Sequence, residues 1–506
     1  MISWLAACAA APPPPPPPPP ERLTVLVVVD QWVADAGPLF MEPIGRPHHL
    51  GLAVHPYATT QTCVGHTTLA TGVLPSTHGM VANRWFSERT DEGPSTCWTS
   101  EATKPLAPSL AEAVRREGRP AIALALKDRA AWPLAGGPDH AIWLDDQERR
   151  FRGGSPALDA VASKLDLAPY MGPWTRDDGS AWRGPDGGTH EEPEPYGPGT
   201  RPELPLPPIS NPELLFAHPG GGDALVDLAL AALDATGQRT GLLMVGMSQV
   251  DGVGHGATPT SVEYVDIVVR AGRSIDRLLD GLDSRGIGYH FFATADHGAT
   301  PHPRGWTATR RDAVKDAAAL DSAANWLAAK GVTLPLPDGV TDPGTLANAL
   351  LVGCGHEGPP ARWSLPTLYL PELGAAAACF DDALPKAVLG ARLPDGTPAY
   401  DALVHTSSGK VLGRGTPDLA SLVLASTHPD RSGDWALVPA FGVVWAGGTP
   451  IGSDHGTPHS YDREVPFVML DSDGVPEGPP RVDIRDVTTR AARKLGFAQW
   501  PEPKAP

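Results

Sequence analysis

Six acidic and imidazole side chains, spread along the chain, are of the types that bind zinc and related divalent metals. Asp251 and His255 stand four residues apart, and Asp296 and His297 are adjacent, between an alanine and a glycine. Taken alone, such an aspartate is usually a helix cap and such a histidine an ordinary surface or core group. Three carboxylates and three imidazoles exceed the needs of one closed tetrahedral site, so the sequence predicts two metals with a bridging group. The candidate ligands are Asp30, Asp251, His255, Asp296, His297 and His455.

Thr62 is the candidate nucleophile. It lies in the segment TQTCVGH at 60–66, where it would begin a helix whose free N–H groups favour a bound anion. A threonine hydroxyl is a weak nucleophile unless a metal activates it, and the six candidate ligands could supply that metal. On its own, Thr62 would be interpreted as a helix N-cap.

Four apolar runs predict the strands that must position these groups. Continuous runs of this kind are typical of parallel strands buried on both faces. Helical patterns at 223–236 and 262–282 alternate with them, which predicts an α/β fold with a mostly parallel central sheet flanked by helices. Polar groups able to do chemistry follow each run, at the carboxyl ends where open α/β sheets place their ligand sites. The runs are 23–29, 121–126, 242–247 and 289–294.

Two regions interrupt this alternation. Residues 170–210 are rich in Gly, Pro and charge and predict a long surface loop. Residues 301–447 show helices and turns but no strand that ends in a chemical group. We expect both to be insertions within one catalytic domain at 21–506, the second forming a subdomain or cap. Residues 1–20 are expected to be a lipoprotein signal and a polyproline tether.

Composition narrows the function classes. The chain has 506 residues, with 40 basic and 58 acidic side chains and a net charge of −18. This balance argues against a nucleic-acid binder, which normally presents a basic face to phosphates. Hydrophobic residues make up 41 %, enough for a large buried core, while 55 Gly and 58 Pro predict many long loops in a folded protein.

The first residues resemble a bacterial lipobox. The segment LAAC at 5–8 precedes nine prolines at 12–20, and Cys8 would carry the lipid. Only seven residues precede Cys8, fewer than a secretory signal needs, so either translation starts upstream or the match arises by chance. Nine residues of polyproline II would hold the domain roughly 28 Å from its anchor. No apolar run reaches the length of a spanning helix. We therefore expect a periplasmic or cell-surface protein, attached to a membrane through Cys8.

Four further cysteines are compatible with two disulfides in an oxidising compartment, although spacing does not give their pairing. None has the CxxC or Cys/His spacing of a zinc site. They are Cys63, Cys97, Cys354 and Cys379.

The order of these motifs resembles the alkaline phosphatase superfamily. Within it, the chain is similar to the branch that holds nucleotide pyrophosphatase/phosphodiesterases and phosphate-irrepressible alkaline phosphatases. The similarity covers about 23–496, with gaps at the two insertions. Its most specific parts are the Thr-Cys-x-Gly-His segment, the Thr-Gly-x-x-Pro-x-x-His-Gly-x-x-x-Asn-x-Trp pattern at 71–85, and SQVDGVGH at 248–255.

The resemblance implies a role for each candidate. Two zinc ions per chain are implied. One would be held by Asp30, Thr62, Asp296 and His297, and the other by Asp251, His255 and His455. Thr62 would attack phosphorus in line to give a phospho-threonine intermediate, which water then hydrolyses. His66 and His78 are expected to be structural, Cys63 a packed or disulfide-bonded neighbour of the nucleophile, and Asp454 an orienting group.

Three further residues match the monoesterase members. Asn83 lies 21 residues after Thr62, and Lys127 and Arg129 follow the run at 121–126. In the family they contact the non-bridging phosphoryl oxygens, and Lys127 and Arg129 can pair with the extra charge of a monoester dianion. A Lys-Asp-Arg triplet is ordinarily a solvated turn, but this one ends an apolar strand in a chain with only nine lysines.

The leading hypothesis is an alkaline phosphatase that acts on small-molecule phosphate monoesters. A phosphodiesterase or nucleotide pyrophosphatase with the same nucleophile and metals is the alternative, and a non-catalytic surface lipoprotein is a third, against which the complete set of seven metal-site positions counts. The C/S-x-P-x-R motif that sulfatases need is absent. Neither the alcohol half of the substrate nor the oligomeric state follows from the sequence.

Overall fold

A nine-stranded sheet forms the centre of the computed structural model, which describes residues 22–87, 93–175, 206–300, 343–392, 396, 398–443 and 453–501. The strand order is β16-β2-β15-β9-β1-β8-β5-β6-β7, and β9, β1, β8, β5 and β6 are parallel neighbours. Strand β15 runs antiparallel between β9 and β2, and β7 is an antiparallel edge strand. The strands of this sheet are β1 Leu23–Val29, β2 His49–Val54, β5 Ala121–Ala125, β6 Ala141–Asp145, β7 Arg150–Gly153, β8 Gly241–Met247, β9 Tyr289–Thr294, β15 Glu464–Asp471 and β16 Arg481–Asp483.

Helices pack on this sheet in two groups, α2 with α5 and α14, and α9 with α1 and α7. Every residue of β1 is buried, as expected for a strand covered on both faces. The described helices are α1 Gly37–Met41, α2 Thr62–Thr71, α3 Pro75–His78, α4 Leu110–Arg116, α5 Asp128–Ala135, α6 Pro156–Ala162, α7 Gly220–Thr236, α8 Gln249–Gly256, α9 Val262–Ser284, α10 Pro343–Gly353, α11 Ala377–Gly390, α12 Leu419–Ser426, α13 Ser460–Arg463 and α14 Ile484–Lys494.

A second sheet of five antiparallel strands lies in the region expected to be an insertion. Its order is β10-β11-β14-β12-β13, and it forms its own apolar core with α10 and α11. Its strands are β10 Arg362–Ser364, β11 Thr367–Tyr369, β12 Tyr400–His405, β13 Val411–Gly413 and β14 Trp435–Pro439, while β3 Arg84–Trp85 and β4 Ser95–Thr96 form a separate short hairpin.

The second sheet adjoins the segment that leads into α2. Tyr369 packs with Cys63 and Cys97, and the Ser364 hydroxyl donates to the Arg84 carbonyl at 2.7 Å. The backbone N–H of Ala58 donates to the Ser426 hydroxyl at 2.6 Å. This subdomain therefore contacts the chain on both sides of Thr62.

The predicted α/β fold is confirmed. All four apolar runs form strands that differ from their predicted bounds by at most one residue, and the helices expected at 223–236 and 262–282 are α7 and α9, each slightly longer. The domain bounds remain a prediction, because residues 1–20, much of 170–210 and residues 301–342 lie outside the described residues. The lipid on Cys8 lies outside them as well.

The four remaining cysteines form two disulfides, Cys63–Cys97 and Cys354–Cys379. This settles the pairing that sequence spacing left open, and it agrees with the expected oxidising compartment. None of the described helices has both the length and the apolar character that crossing a bilayer requires.

Candidate active site

Four neighbouring parallel strands deliver the candidate residues to one edge of the main sheet. Asp30 directly follows β1, and Asp296 comes two residues after β9. Lys127 lies two residues beyond β5, and Asp251 lies in the first turn of α8, which follows β8. Because parallel strands end at the same edge, residues far apart in sequence meet there.

The first cluster contains Asp30, Asp296 and His297, whose ligand atoms all lie within 4.8 Å of one another. The His297 Nε2 atom is 3.3 Å from an oxygen of Asp30 and 3.4 Å from one of Asp296. The Thr62 hydroxyl oxygen lies 3.5 Å from the same nitrogen. The four residues expected to share one metal therefore converge on one point.

The second cluster contains Asp251, His255 and His455, the residues expected to hold the other metal. Their ligand atoms fall into two overlapping sets within 4.8 Å, Asp251 and His455 with His297 of the first cluster, and His255 and His455 with Asp454. The Oδ1 atom of Asp251 is 3.2 Å from Nε2 of His255 and 3.7 Å from Nε2 of His455. The rings of His455 and His297 stack with centroids 3.5 Å apart, so the two clusters adjoin. A carboxylate oxygen of Asp454 lies within 4.8 Å of the ligand nitrogens of His255 and His455, which makes Asp454 a further candidate ligand or orienting group.

Each of the three histidines has its Nδ1 atom bonded to a backbone carbonyl. The partners are Ser453 for His255, Gly298 for His297 and Thr60 for His455, at 3.1, 3.0 and 2.8 Å. When Nδ1 donates its proton in this way, the Nε2 lone pair is free to bind a metal. All three imidazoles thus present the same atom to the site.

The carboxylates of the site present oxygen atoms that a cation could bind. One oxygen each of Asp30, Asp251 and Asp296 is buried without a hydrogen-bond partner among the described residues. Burial and the neighbouring Asp30 carboxylate raise the pKa of Asp296 well above its usual range, and burial raises the pKa of Asp454 to about 6. Unpaired buried carboxylate oxygens facing imidazole lone pairs fit a divalent metal with oxygen and nitrogen ligands.

Helix α2 places Thr62 against the first cluster. Thr62 is the first residue of the helix and is 2 % exposed. Gly65 permits the close approach, because a Cβ atom there would lie 2.2 Å from the Asp296 carbonyl oxygen. His66, expected to be structural, has its Nδ1 atom 2.9 Å from the Thr62 carbonyl oxygen and 3.0 Å from the Asp296 carboxylate, so it joins the helix to the cluster.

Asn83 is held by two backbone N–H groups and by the side chain of Gln61. The N–H of Cys63 donates to the Asn83 side-chain oxygen at 2.8 Å, and the N–H of Cys97 donates to the Asn83 carbonyl at 3.1 Å. The Asn83 N–H in turn donates to the Gln61 side chain at 2.6 Å. With its oxygen occupied, the side chain of Asn83 keeps its NH₂ group as a donor for a ligand.

Lys127 lies between the two clusters. Its buried ammonium is 3.0 Å from an oxygen of Asp30 and also donates to the Asp251 carboxylate. Burial lowers the pKa of Lys127, but the charges of Asp251 and Asp30 outweigh burial and leave that pKa above its ordinary value. Lys127 is therefore a permanent positive charge at the meeting point of the clusters.

Lys127 and Arg129 also line a cleft of about 720 Å³ that opens on Asp251 and His255. Sequence reasoning missed two features around this site. One is the positioning of Asn83 by Gln61 and by the Cys63–Cys97 disulfide. It could not be inferred from the sequence, because the pairing of the cysteines was not known. The other is the aromatic lining of the cleft by Trp132 and Phe216. Phe216 lies in the short 3₁₀ helix Pro212–Ala217, whose sequence shows no hydrophobic periodicity.

Comparison with known sequences identifies relatives of the same kind. The family model for type I phosphodiesterase / nucleotide pyrophosphatase matches residues 46–332, more than half of the chain. Alkaline phosphatase PhoD of Zymomonas mobilis is 27 % identical over 328 residues, covering 56 % of this chain and 54 % of that protein. Alkaline phosphatase PafA of Elizabethkingia meningoseptica is 25 % identical over 289 residues, covering 48 % and 52 %. The chain thus spans about half the length of the curated relatives it matches.

Solved structures share the fold. The structure of alkaline phosphatase PafA superposes with a TM-score of 0.70 at 19 % identity, covering 94 % of this chain and 96 % of that one. Murine ectonucleotide pyrophosphatase / phosphodiesterase 5 superposes with a TM-score of 0.53 at 13 % identity, covering 95 % and 97 %. Together with the family match, this agrees with the resemblance seen in the motifs. The chain belongs to the type I phosphodiesterase / nucleotide pyrophosphatase family, within the alkaline phosphatase superfamily.

Proposed function

We propose that this protein is a two-zinc phosphomonoesterase that uses Thr62 as its nucleophile and passes through a phospho-threonine intermediate. The observation that carries the proposal is the position of the Thr62 hydroxyl, at a helix start and 3.5 Å from His297 of the first cluster, with the second cluster stacked beside it. Lys127 between the clusters favours a substrate with high negative charge.

Asp30, Thr62, Asp296 and His297 would hold one zinc, and Asp251, His255 and His455 the other. Bound zinc would activate the threonine hydroxyl and neutralise charge on the phosphoryl and leaving oxygens. The protein's own groups do the positioning. Helix α2 fixes the hydroxyl, and the Asn83 amide, Lys127 and Arg129 donate hydrogen bonds to the non-bridging oxygens. Most of the rate enhancement in phosphoryl transfer comes from such positioning and charge neutralisation.

The test of this function is kcat/KM on an aryl phosphate monoester and on its matching diester. We expect the monoester to be the better substrate, because its dianion carries a charged oxygen where the diester carries a second ester group. A preference for the diester would favour the second candidate, a phosphodiesterase or nucleotide pyrophosphatase. The family match at 46–332 supports that candidate.

Chelation should inactivate the enzyme, and zinc should restore it. Two features support this expectation. One is the set of buried oxygens without hydrogen-bond partners on Asp30, Asp251 and Asp296, and the other is the three Nε2 lone pairs that are free to bind a metal. Elemental analysis should find two zinc ions per chain. His255→Ala and His455→Ala should each weaken one zinc, and the same one, because both residues contact Asp251.

A histidine outside the clusters provides the control for the metal experiment. His290→Ala removes an imidazole that pairs with Asp471, near the opposite end of β9. This variant should keep both zinc ions and its activity. Fully active protein without metal, or equal zinc loss from all three variants, would contradict the metal assignment.

Removing the Cys63–Cys97 disulfide should reduce monoesterase activity by up to about 100-fold while zinc content stays unchanged. In the double variant Cys63→Ala/Cys97→Ala the backbone donors to Asn83 remain, but helix α2 and the segment after β4, which carry them, are no longer tied together. A displacement of about 1 Å at a positioning group can cost about 100-fold in rate. The loss should be larger on monoesters than on diesters, since Asn83 contacts the phosphoryl oxygens of both but the charge is greater in the monoester.

The second disulfide is a matched control. Cys354–Cys379 closes a loop of 25 residues against 34 for Cys63–Cys97, so each bond should contribute a similar 3–4 kcal/mol, roughly, to stability. Cys354→Ala/Cys379→Ala should therefore lower the melting temperature comparably and leave kcat/KM near that of the wild type. Equal activity losses in the two double variants would mean that only general stability is at work.

For localisation, we propose the periplasm or the cell surface. The support comes from the two disulfides, which persist in oxidising compartments. Attachment through a lipid on Cys8 is part of the same proposal, and mass spectrometry of that residue in the mature protein tests it.

A further inference from the structure

The cleft beside the site has an aromatic wall that the proposed chemistry does not use. It holds about 720 Å³ and meets the second cluster at Asp251 and His255, while Thr62 is not among its lining residues. In an in-line displacement the leaving oxygen departs on the side opposite the nucleophile. The alcohol part of the substrate therefore points towards this cleft.

Phe216 forms one side of the cleft. The residue is 36 % exposed, and it lies against α8 at Gly252, one residue beyond Asp251. The contact depends on Gly252, where a Cβ atom would lie 2.1 Å from the Phe216 carbonyl oxygen and 2.6 Å from the Phe216 ring. Gly252 thus allows the Phe216 ring to lie directly beside the second cluster, on the side where the leaving oxygen would depart.

Trp132 lines the cleft from α5. It follows Arg129 by three residues, so it lies one turn from the proposed phosphate contact. The ring of Trp143 meets the Trp132 ring edge to face, with centroids 5.4 Å apart and an interplanar angle of 86°. Trp143 is 9 % exposed and lines the cleft beside Trp132, so the two rings form one aromatic wall.

Apart from Lys127 and Arg129, the charged groups that line the cleft are mostly acidic. Asp145, Asp146 and Glu213, called the acidic rim below, line it together with one further cation, Arg152. Arg152 is already engaged, at 3.0 Å from Glu148 and 3.7 Å from Asp145. A leaving group that carried a second phosphate or a carboxylate would meet like charge there, whereas an uncharged ring would not.

We propose that the cleft binds the alcohol part of the substrate and selects aromatic alcohols that carry no further negative charge. Phe216 and Trp132 provide the faces on which the ring of the alcohol packs, and the acidic rim rejects polyanionic leaving groups. This inference rests on the proposed monoesterase function and names its substrate class.

The test compares three monoesters: benzyl phosphate, ethyl phosphate and 4-carboxybenzyl phosphate. Benzyl alcohol and ethanol are leaving groups of similar basicity, so a difference in kcat/KM reports binding of the ring. Wild-type protein should prefer benzyl phosphate to ethyl phosphate by about tenfold or more, and it should be slower on the carboxylated ester. Phe216→Ala should lower the benzyl-to-ethyl ratio by about five- to tenfold, because kcat/KM should fall more on the benzyl ester than on the ethyl ester.

Leu214→Ala is the matched control, because Leu214 lies in the same turn, is 44 % exposed and is not among the residues that line the cleft. It should leave the ratio as in the wild type. Asp146→Asn combined with Glu213→Gln should narrow the gap between the benzyl and carboxybenzyl esters. Phe216→Ala thus tests the aromatic contribution to substrate selection, and the Asp146→Asn/Glu213→Gln variant tests the contribution of charge.

Three results would overturn the inference. A benzyl-to-ethyl ratio near one in active wild-type protein would remove the aromatic subsite and leave the proposed function intact. Equal losses on both esters in Phe216→Ala would make Phe216 structural. Wild-type protein with no activity on any monoester would remove the proposed function, and the inference with it.

Discussion

Thr62→Ala protein should fold and bind metal but lose about a thousandfold or more of its phosphoesterase activity, because the variant lacks the proposed nucleophile. Thr62 is the first residue of α2, and the N-cap position belongs to Gln61, which makes no side-chain capping bond. Because Thr62 is not the capping residue, its substitution should remove little helix stability. The site keeps all six of its Asp and His candidate ligands in the variant. Steady-state kinetics, elemental analysis and circular dichroism measure the three quantities separately.

A neighbouring hydroxyl does not replace the missing one. Thr60 already donates its hydroxyl to the Thr457 carbonyl at 3.0 Å, which directs it away from the first cluster. Thr71→Ala serves as the control, because its hydroxyl donates to the Thr67 carbonyl at 2.8 Å and accepts from the Val73 N–H at 3.4 Å, both at the far end of α2 from Thr62. That variant should keep nearly full activity. Thr62→Ala activity within tenfold of the wild type would place the nucleophile elsewhere.

The main sheet was predictable because its strands are buried on both faces. Burial on both faces requires an unbroken apolar run, as in Leu23–Val29, and the polar residue that ends the run marks the edge where ligands bind. The second sheet offered no such signal. Three of its five strands, among them Arg362–Ser364 and Val411–Gly413, are only three residues long. The longer Trp435–Pro439 strand is buried, but its place in the sheet depends on pairing with Thr367–Tyr369 and Tyr400–His405, which are distant in sequence.

The candidate site was predictable as a set of residues but not as an arrangement. The order of the motifs singled out Thr62 and six candidate ligands, and the structure brings these seven residues into two adjoining clusters, while their roles stay a prediction. Sequence order carries no information on what holds Asn83, because the Cys63–Cys97 bond and the Gln61 side chain act across space. Nor did it show that Lys127 would lie between Asp30 and Asp251, since that depends on the β1, β8 and β5 register.

The double variant Lys127→Ala/Arg129→Ala should lose roughly two to four orders of magnitude of kcat/KM on monoesters and far less on diesters. A charge-assisted hydrogen bond in a partly desolvated site contributes on the order of 1.5–3 kcal/mol, and about 1.4 kcal/mol is tenfold in rate. Lys127 is buried between the clusters and Arg129 lines the adjoining cleft, so each can reach a phosphoryl oxygen held there. Diesters lack the extra charged oxygen, so the gap between the two substrate classes should narrow.

The position of Lys127 makes a metal measurement essential to this experiment. Its ammonium contacts Asp30 and Asp251, one proposed ligand from each zinc site, and its removal takes a positive charge away from both. Loss of a neighbouring cation does not disfavour binding of another cation, so zinc content should not fall. Arg152→Ala, in the lining of the same cleft, is the control and should change neither substrate class by more than a few-fold. If the double variant retains zinc but slows monoesters and diesters equally, Lys127 and Arg129 bind phosphate without selecting the monoester. The diesterase candidate would then become the better account of this site, because no other described cation stands between the two clusters to recognise a dianion.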